Sequence, residues 1–262
     1  MINGSYITQW SVEHPWTKDS YVEQDLVISR ALVAIFSDPF LAENLAFRGG
    51  TAIHKLYLSP QSRYSEDIDL VQIKPGPIKP IVERLDAVLA WLPNKAFEAR
   101  KFGFRQKFRF QSEGVPSEPL RLKVEVNTFE HFSELGYTHV PFVIANPWFL
   151  GECMITTYSI NELFGSKLRA IYQRKKGRDL FDMNLAIDRK LLDIDSVLHC
   201  WKRFMLASCD HIPTAKEFVL NMESKLKEPA YRLDTQGILR PGITFDPDAA
   251  WRNLREKVIS RH

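Results

Sequence analysis

Two stretches near the middle of the chain, KFGFRQKFRF (residues 101–110) and PLRLKVEVNTF (residues 119–129), alternate apolar and polar residues with a period of two. Successive side chains of a β-strand point to opposite faces, so this pattern marks strands buried on one side only. In the first, Phe104, Phe108 and Phe110 share a face and Arg105, Lys107 and Arg109 share the other. In the second, Leu120, Leu122, Val124 and Val126 face inward while Arg121, Lys123 and Glu125 face the opposite way. Glu113-Gly114-Val115-Pro116-Ser117 reads as the turn between them, which predicts a hairpin.

The rest of the chain sorts by period in the same way. Residues 21–37 carry Leu26, Val27, Ala31, Leu32, Ile35 and Phe36 at helical spacing. Leu45-Ala46-Phe47 reads as a short strand, residues 52–58 as a short helix and residues 67–73 as a strand closed by Pro75-Gly76-Pro77. Residues 81–92 form an amphipathic pattern. After Ser159 the character becomes helical, with helices expected near 160–175, 179–188, 194–206, 214–226 and 247–259. The expected class is therefore α+β. A mixed β-sheet lobe flanked by helices occupies residues 1–150, and a helical lobe occupies 151–262.

With 45% apolar and 26% charged residues, the chain has the make-up of an ordinary globular protein with an ample core. MINGSYITQW lacks the apolar core of a signal peptide, and VPFVIANPWFL is too short and proline-broken to span a bilayer. Cys153, Cys200 and Cys209 cannot all pair, so they read as reduced thiols of a cytoplasmic protein with no membrane partner. His199-Cys200 and Cys209-x-His211 lack the tight paired spacing of zinc sites and read as core and surface residues of a helical region.

The strand at 67–73 holds two aspartates one residue apart. Asp67 and Asp69 point to one face, with Ile68 and Leu70 on the other, and the pair lies about 7 Å apart along the strand. Two carboxylates on one face repel unless a cation or hydrogen-bond donors lie between them. Mg²⁺ (or Mn²⁺) is the simplest resolution, because it takes one or two protein carboxylates together with waters and substrate phosphates. Glu125 is a lone acid on the polar face of its own strand, and if the hairpin lies beside the aspartates it becomes a third metal-facing carboxylate. The plainer alternatives stay open. D-x-D also occurs on solvated sheet faces, and Glu125 can pair with Arg105 or Arg109 across the hairpin.

Gly49-Gly50-Thr51 follows a short apolar strand and opens a helix. Glycines at such a turn let backbone N–H groups approach an anion, and a helix N-terminus favours negative charge. The Thr51 hydroxyl offers one more donor or serves as a helix cap. Ser65 shares the strand face of Asp67 and is a candidate for phosphate or the metal shell, and Arg63 is a candidate for the triphosphate. Both could equally lie in an exposed loop. Lys55 reads as solvent-facing or locally paired. A phosphate cradle followed by a same-face acid pair is a nucleotide-plus-metal arrangement.

These residues resemble the nucleotidyltransferase superfamily of DNA polymerase beta type. More closely, F-R-G-G-T-A-x-x-K (47–55), R-x-S-x-D-I-D (63–69) and K-V-E-V (123–126) resemble the AbiEii/AbiGii toxin family, which includes the MenT toxins. ELFGSKLRAIYQRKKGRDLFD supplies the lysine and downstream R-D-x-x-D of that family as Lys167, Arg178, Asp179 and Asp182. The resemblance covers roughly residues 46–186. It implies a sheet lobe carrying the catalytic acids Asp67, Asp69 and Glu125, with a helical lobe closing over the nucleotide. It implies that Lys167 binds the β- and γ-phosphates, with a snorkelling helix-edge lysine as the plain alternative. Arg178 and Asp182 are expected beside the nucleotide. Asp179 and Asp182 share a helix face and could orient Lys167, contact base or ribose, or cap the helix, with both a site-adjacent and a structural role open for Asp179. The implied activity is transfer of a nucleoside monophosphate from an NTP, with the tRNA 3′ end as acceptor in the MenT branch and a cognate antitoxin as a further partner.

The net charge of +3 alone identifies no anionic partner, but the basic residues cluster. Lys167, Arg169, Arg174, Lys175, Lys176 and Arg178 lie within twelve residues, and Arg105, Lys107, Arg109, Arg121 and Lys123 crowd one sheet face. Such patches around an acidic centre suit an RNA acceptor. No aromatic stacking platform is evident, because the phenylalanines alternate inward. Three rivals remain: an NTP-binding toxin or sensor without catalysis, a metal-dependent nuclease, and a small-molecule nucleotidyltransferase.

Overall fold

The computed structural model describes every residue except Met1, Val115 and Asp210. The centre of the expected 113–117 turn and the middle residue of Cys209-x-His211 therefore lie outside the described residues. The chain divides into two compact units, one of residues 1–133 and 137–158 and one of residues 134–136 and 159–262.

The first unit is built on a seven-stranded sheet ordered β3-β4-β5-β2-β1-β7-β6. Its strands are β1 (Leu45–Arg48), β2 (Asp67–Gln72), β3 (Lys95–Arg100), β4 (Gly103–Gln111), β5 (Pro119–Asn127), β6 (Tyr137–Asn146) and β7 (Phe149–Tyr158). The alternating stretches form the expected hairpin, with β4 and β5 antiparallel and Phe108 opposite Leu122 on the buried face. β2 sits centrally, antiparallel to β1 and parallel to β5. The parallel pairing requires a crossover, which the chain makes through α5 (Lys79–Val88), β3 and β4.

The sheet's core includes Phe47, Ile68, Leu70, Leu122, Val124 and Ile155. α2 (Asp19–Phe36) matches the helix read at 21–37 and is buried along nearly its whole length. α1 (Gly4–Ser11) and α3 (Pro39–Asn44) complete the front of the unit. A helical turn, α4 (Gly49–Ala52), continues as a wider π-type turn through Tyr57, so the helix starts at the first glycine rather than after the threonine.

Three strands carry no clear sequence signature. β3 is an edge strand with mostly exposed residues, so burial imposes no alternation on it. The apolar stretch 140–150 belongs to the β6–β7 hairpin, whose turn falls at Pro147-Trp148. The division expected near residue 150 would cut β7. The units separate after Tyr158, where that strand ends.

Lys55 differs from its expected solvent-facing place. Its side chain is buried, with Nζ 3.0 Å from Asp25 Oδ1 and 2.9 Å from Ser29 Oγ on α2. Asp25 also accepts from Trp10 Nε1 at 3.0 Å. A buried carboxylate needs such partners, and it draws the lysine inward from 30 residues away.

The second unit is helical: α6 (Ile160–Gln173), α7 (Gly177–Asp188), α8 (Ile194–Ser208), α9 (Ala215–Leu226), α10 (Pro229–Arg232) and α11 (Pro247–Lys257). The first, second, third, fourth and last correspond to the helices read from sequence. Ser159 caps α6 and a Thr214–Glu217 capping box starts α9. α6 and α8 approach closely at Gly165, where an added Cβ would stand 2.6 Å from Cys200 Cβ. Cys200 is a buried core residue and His199 lies 3.4 Å from Glu134 at the surface. No helix among the described residues is long and apolar enough to cross a membrane.

Candidate active site

Strand register assembles the polar face of the sheet. Across neighbouring strands the chain aligns Glu98 (β3), Arg105 (β4), Glu125 (β5), Asp69 (β2) and Arg48 (β1). Directly paired residues of a ladder share a face, so these five form one transverse row. Charge alternates along it except at Glu125 and Asp69, where two carboxylates stand side by side. The next row holds Lys107, Lys123 and Asp67. Asp67, Asp69 and Glu125 therefore share the face, as two strand positions on β2 and the β5 neighbour of the second.

Basic side chains answer these acids. Lys123 Nζ lies 2.5 Å from Asp67 Oδ2, and Arg105 pairs with Glu125 while also reaching Glu98. Lys107 pairs with Glu98 as well. The other oxygen of Asp67, Oδ1, is buried and has no hydrogen-bond partner. A buried unsatisfied carboxylate oxygen is costly and calls for a cation or donor. An oxygen-liganded divalent cation fits this donor set of two same-face aspartates and an adjacent glutamate. Among the described residues, no three His, Cys, Asp or Glu side chains are already gathered as a metal cage. Asp67 and Glu125 are instead paired with Lys123 and Arg105.

The glycines lie against this row. Gly49 has φ +80°, and a Cβ there would stand 2.3 Å from Asp69 Oδ2. Only glycine gives both that backbone conformation and that clearance. A Cβ on Gly50 would meet the Arg63 guanidinium at 2.5 Å. Arg63 is buried, not in an exposed loop, and donates to the Tyr64 carbonyl at 2.9 Å.

Thr51 is 1% exposed and its hydroxyl donates to the Asp67 carbonyl at 2.5 Å. Ser65 Oγ lies 2.8 Å from the same hydroxyl. Because the Thr51 proton goes to Asp67, the Ser65 hydroxyl is the donor between the two. The threonine and serine thus tie the start of α4 to the start of β2 and hold the glycine turn beside the acids.

Arg48, next to the glycines, pairs with Glu130, which is buried. Burial lowers the arginine's pKa, but Glu130, Tyr158 and Asp69 outweigh it and raise the value overall. Glu130 is aimed by Asn127, whose Oδ1 accepts from the backbone N–H groups of Phe129 (2.9 Å) and Glu130 (2.8 Å). A cavity of about 250 Å³ opens here, lined by Arg48, Asp69, Glu125, Phe102, Gly103 and Asn127 among others. Arg48, Glu130 and Asn127 were missed in the sequence. Arg48 sits inside the F-R-G-G-T run, but only register shows that it completes the charged row.

In the helical unit, Lys167 is buried with Nζ 3.0 Å from Asp179 Oδ1 and 2.8 Å from Asp182 Oδ2. Both aspartates are fully buried. Arg174 adds a bidentate contact to Asp179 at 2.6 and 2.7 Å. Burial pushes the Asp179 carboxyl up, while Lys167 and Arg174 more than reverse it and hold it below its ordinary value. Arg178 lies against Asp234, which accepts from the Arg178 backbone N–H at 3.1 Å and sits 3.8 Å from its guanidinium. Lys175 and Lys176 pair with Glu228 and Asp234. Much of the positive charge that clusters in sequence is thus matched by acids in space, in both units. Local composition cannot show those distant partners.

Comparison with curated proteins gives no match. Among solved structures, MenT4, a nucleotidyltransferase toxin of Mycobacterium tuberculosis H37Rv, is similar with a TM-score of 0.62 at 14% identity, covering 98% of this chain and 88% of that one. JHP933 of Helicobacter pylori is similar with a TM-score of 0.54 at 18% identity, covering 93% of each chain. At these identities the likeness speaks to the fold. The sequence itself decides the family: residues 30–257 match the family described as nucleotidyl transferase AbiEii toxin of type IV toxin–antitoxin systems, and the chain belongs to it.

Proposed function

We propose that this nucleotidyltransferase toxin transfers a nucleoside monophosphate from an NTP to an RNA hydroxyl, with the tRNA 3′ end as acceptor, pyrophosphate as the leaving product and Mg²⁺ or Mn²⁺ as the required ion. The observation that carries the reading is the contact of Gly49 with Asp69 beside Glu125. It would put a main-chain anion seat beside the neighbouring carboxylates of Asp69 and Glu125.

Asp67 and Asp69 would hold the ion, with Glu125 completing the donor set. When bound, the ion would offset phosphate charge and acidify the acceptor hydroxyl. Gly49 and Gly50 present main-chain N–H groups to the triphosphate, and Thr51 and Ser65 keep that turn fixed to β2. Arg63 supplies positive charge behind Gly50. Glu125 accepts the proton of the attacking hydroxyl, whose oxygen forms the new bond to the α-phosphorus as the bond to pyrophosphate breaks. Lys167, Arg178 and Asp182 remain assigned to the nucleotide through the family motif they match. A cognate antitoxin is the partner that membership of the family supplies.

The test is incubation with total RNA and each α-labelled NTP, with and without Mg²⁺. Label on a discrete RNA band that needs the divalent ion and disappears with Asp67→Ala supports the reading. Equal labelling by that variant removes Asp67 from the mechanism. A second reading, nucleotide binding without transfer, is favoured by the pairing of Asp67 and Glu125 with Lys123 and Arg105. It gives NTP-dependent thermal stabilisation with no labelled RNA.

A further inference from the structure

Phe102 and Phe129 depart from the inward pattern of Phe104, Phe108 and Phe110. Both are about half exposed, 47% and 52%, and their rings lie 4.9 Å apart at 45°. They come from separate elements, the β3–β4 turn and the loop after β5. The Phe102 carbonyl accepts from the Thr128 N–H at 2.9 Å, and Asn127 holds the Phe129 backbone. Lys101 Nζ lies 4.8 Å from the Phe102 ring centroid. Arg100, also exposed, stands next to it.

Phe102, Arg100 and Lys101 line the same cavity as Asp69 and Glu125. Gly103, between Phe102 and the charged row, leaves that floor open. It cannot be larger, because a Cβ would stand 1.9 Å from the Val126 carbonyl oxygen.

We propose that the Phe102–Phe129 pair is a stacking platform for the terminal base of a single-stranded RNA acceptor, with Lys101 and Arg100 meeting the adjoining phosphates. This rests on the transferase reading above and assigns the acceptor side of that site. The rings stand apart from the anion seat, and the NTP-induced thermal shift in the test below separates an acceptor base from the base of the NTP. The anion seat lies at β1, on one side of Asp69, whereas Phe102 lies at β4, three strand spacings or about 14 Å away. Exposed aromatic rings beside cations bind unpaired bases through stacking and backbone attraction, with little dependence on base identity.

The probe is a 5′-fluorescein-labelled single-stranded oligoribonucleotide, followed by anisotropy without NTP. The platform requires that Phe102→Ala with Phe129→Ala weaken binding about tenfold, and that Phe102→Trp with Phe129→Trp restore it. An RNA with an abasic 3′-terminal residue should lose a similar factor on the parent protein and almost none on the alanine variant. The NTP-induced thermal shift should stay unchanged in every variant. Equal RNA affinity of the alanine variant, or equal affinity for abasic and intact RNA, overturns the platform; the former outcome would leave the rings as a protein-facing surface. Stacking-dependent RNA binding with no transfer would keep the platform and remove the transferase reading. Transfer that ignores both rings would do the reverse.

Discussion

Gly49 and Asp69 touch: the Cα of the first motif glycine lies so close to the second motif aspartate that a methyl group would sit 2.3 Å from its Oδ2. The glycine turn and the acidic strand, twenty residues apart in sequence, are one structural object. Gly49→Ala should therefore damage the site twice. A left-handed alanine costs on the order of 1 kcal/mol, and Asp69 must also move. A lower melting temperature together with at least tenfold weaker transfer is expected, measured on the same preparation.

Lys123 competes for Asp67. Its ammonium lies 2.5 Å from Oδ2, in the space a divalent ion would share. Lys123→Met should lower the Mn²⁺ concentration needed for half-maximal thermal stabilisation severalfold. An unchanged or weaker Mn²⁺ response would show that the ion does not use this carboxylate.

Lys167 sits between two buried aspartates, so its removal is first a matter of stability. Breaking a buried pair by removing one partner costs about 3–5 kcal/mol, because the remaining charge is uncompensated. Lys167→Met should show that loss in chemical denaturation, and adding Asp182→Asn should recover part of it. Because Asp179 is held below its ordinary value, its contribution is present above about pH 4 and lost as the pH falls through its folded value.

Glu23 gives the opposite pH dependence. This α2 carboxyl is 1% exposed, and burial pushes its pKa from 4.5 up to about 7. The folded state binds a proton that the unfolded chain has already released, so stability is full below about 4.5 and declines as the pH rises toward 7. Glu23→Gln keeps an acceptor for the Glu113 N–H, which Oε2 now accepts at 2.9 Å. The variant should be more stable than the parent at pH 8 by on the order of 2 kcal/mol and equal to it at pH 4.

Much of this protein was legible because local pattern carried it. Period-two alternation located β4 and β5, apolar spacing located α2 and the main helices of the second unit, and the motif order pointed to the family. These signals are strong where burial is one-sided, because solvent on one face and core on the other write the period into the residues. β3 had no such signal, since its residues are mostly exposed and burial writes no period into an edge strand.

The tertiary structure decided what each polar residue answers to. Sequence placed Asp67 and Asp69 on one face, but only the parallel pairing of β2 with β5 set Glu125 beside Asp69 and Lys123 beside Asp67. It also drew Lys55 to Asp25, enclosed Lys167 between two carboxylates, and left Phe102 half exposed in the lining of the acidic cavity with the Phe129 ring against it. Side-chain alternation is a property of a single strand and can be read along it. Strand register, burial and charge pairing arise between segments far apart in the chain, and neighbouring residues do not encode them.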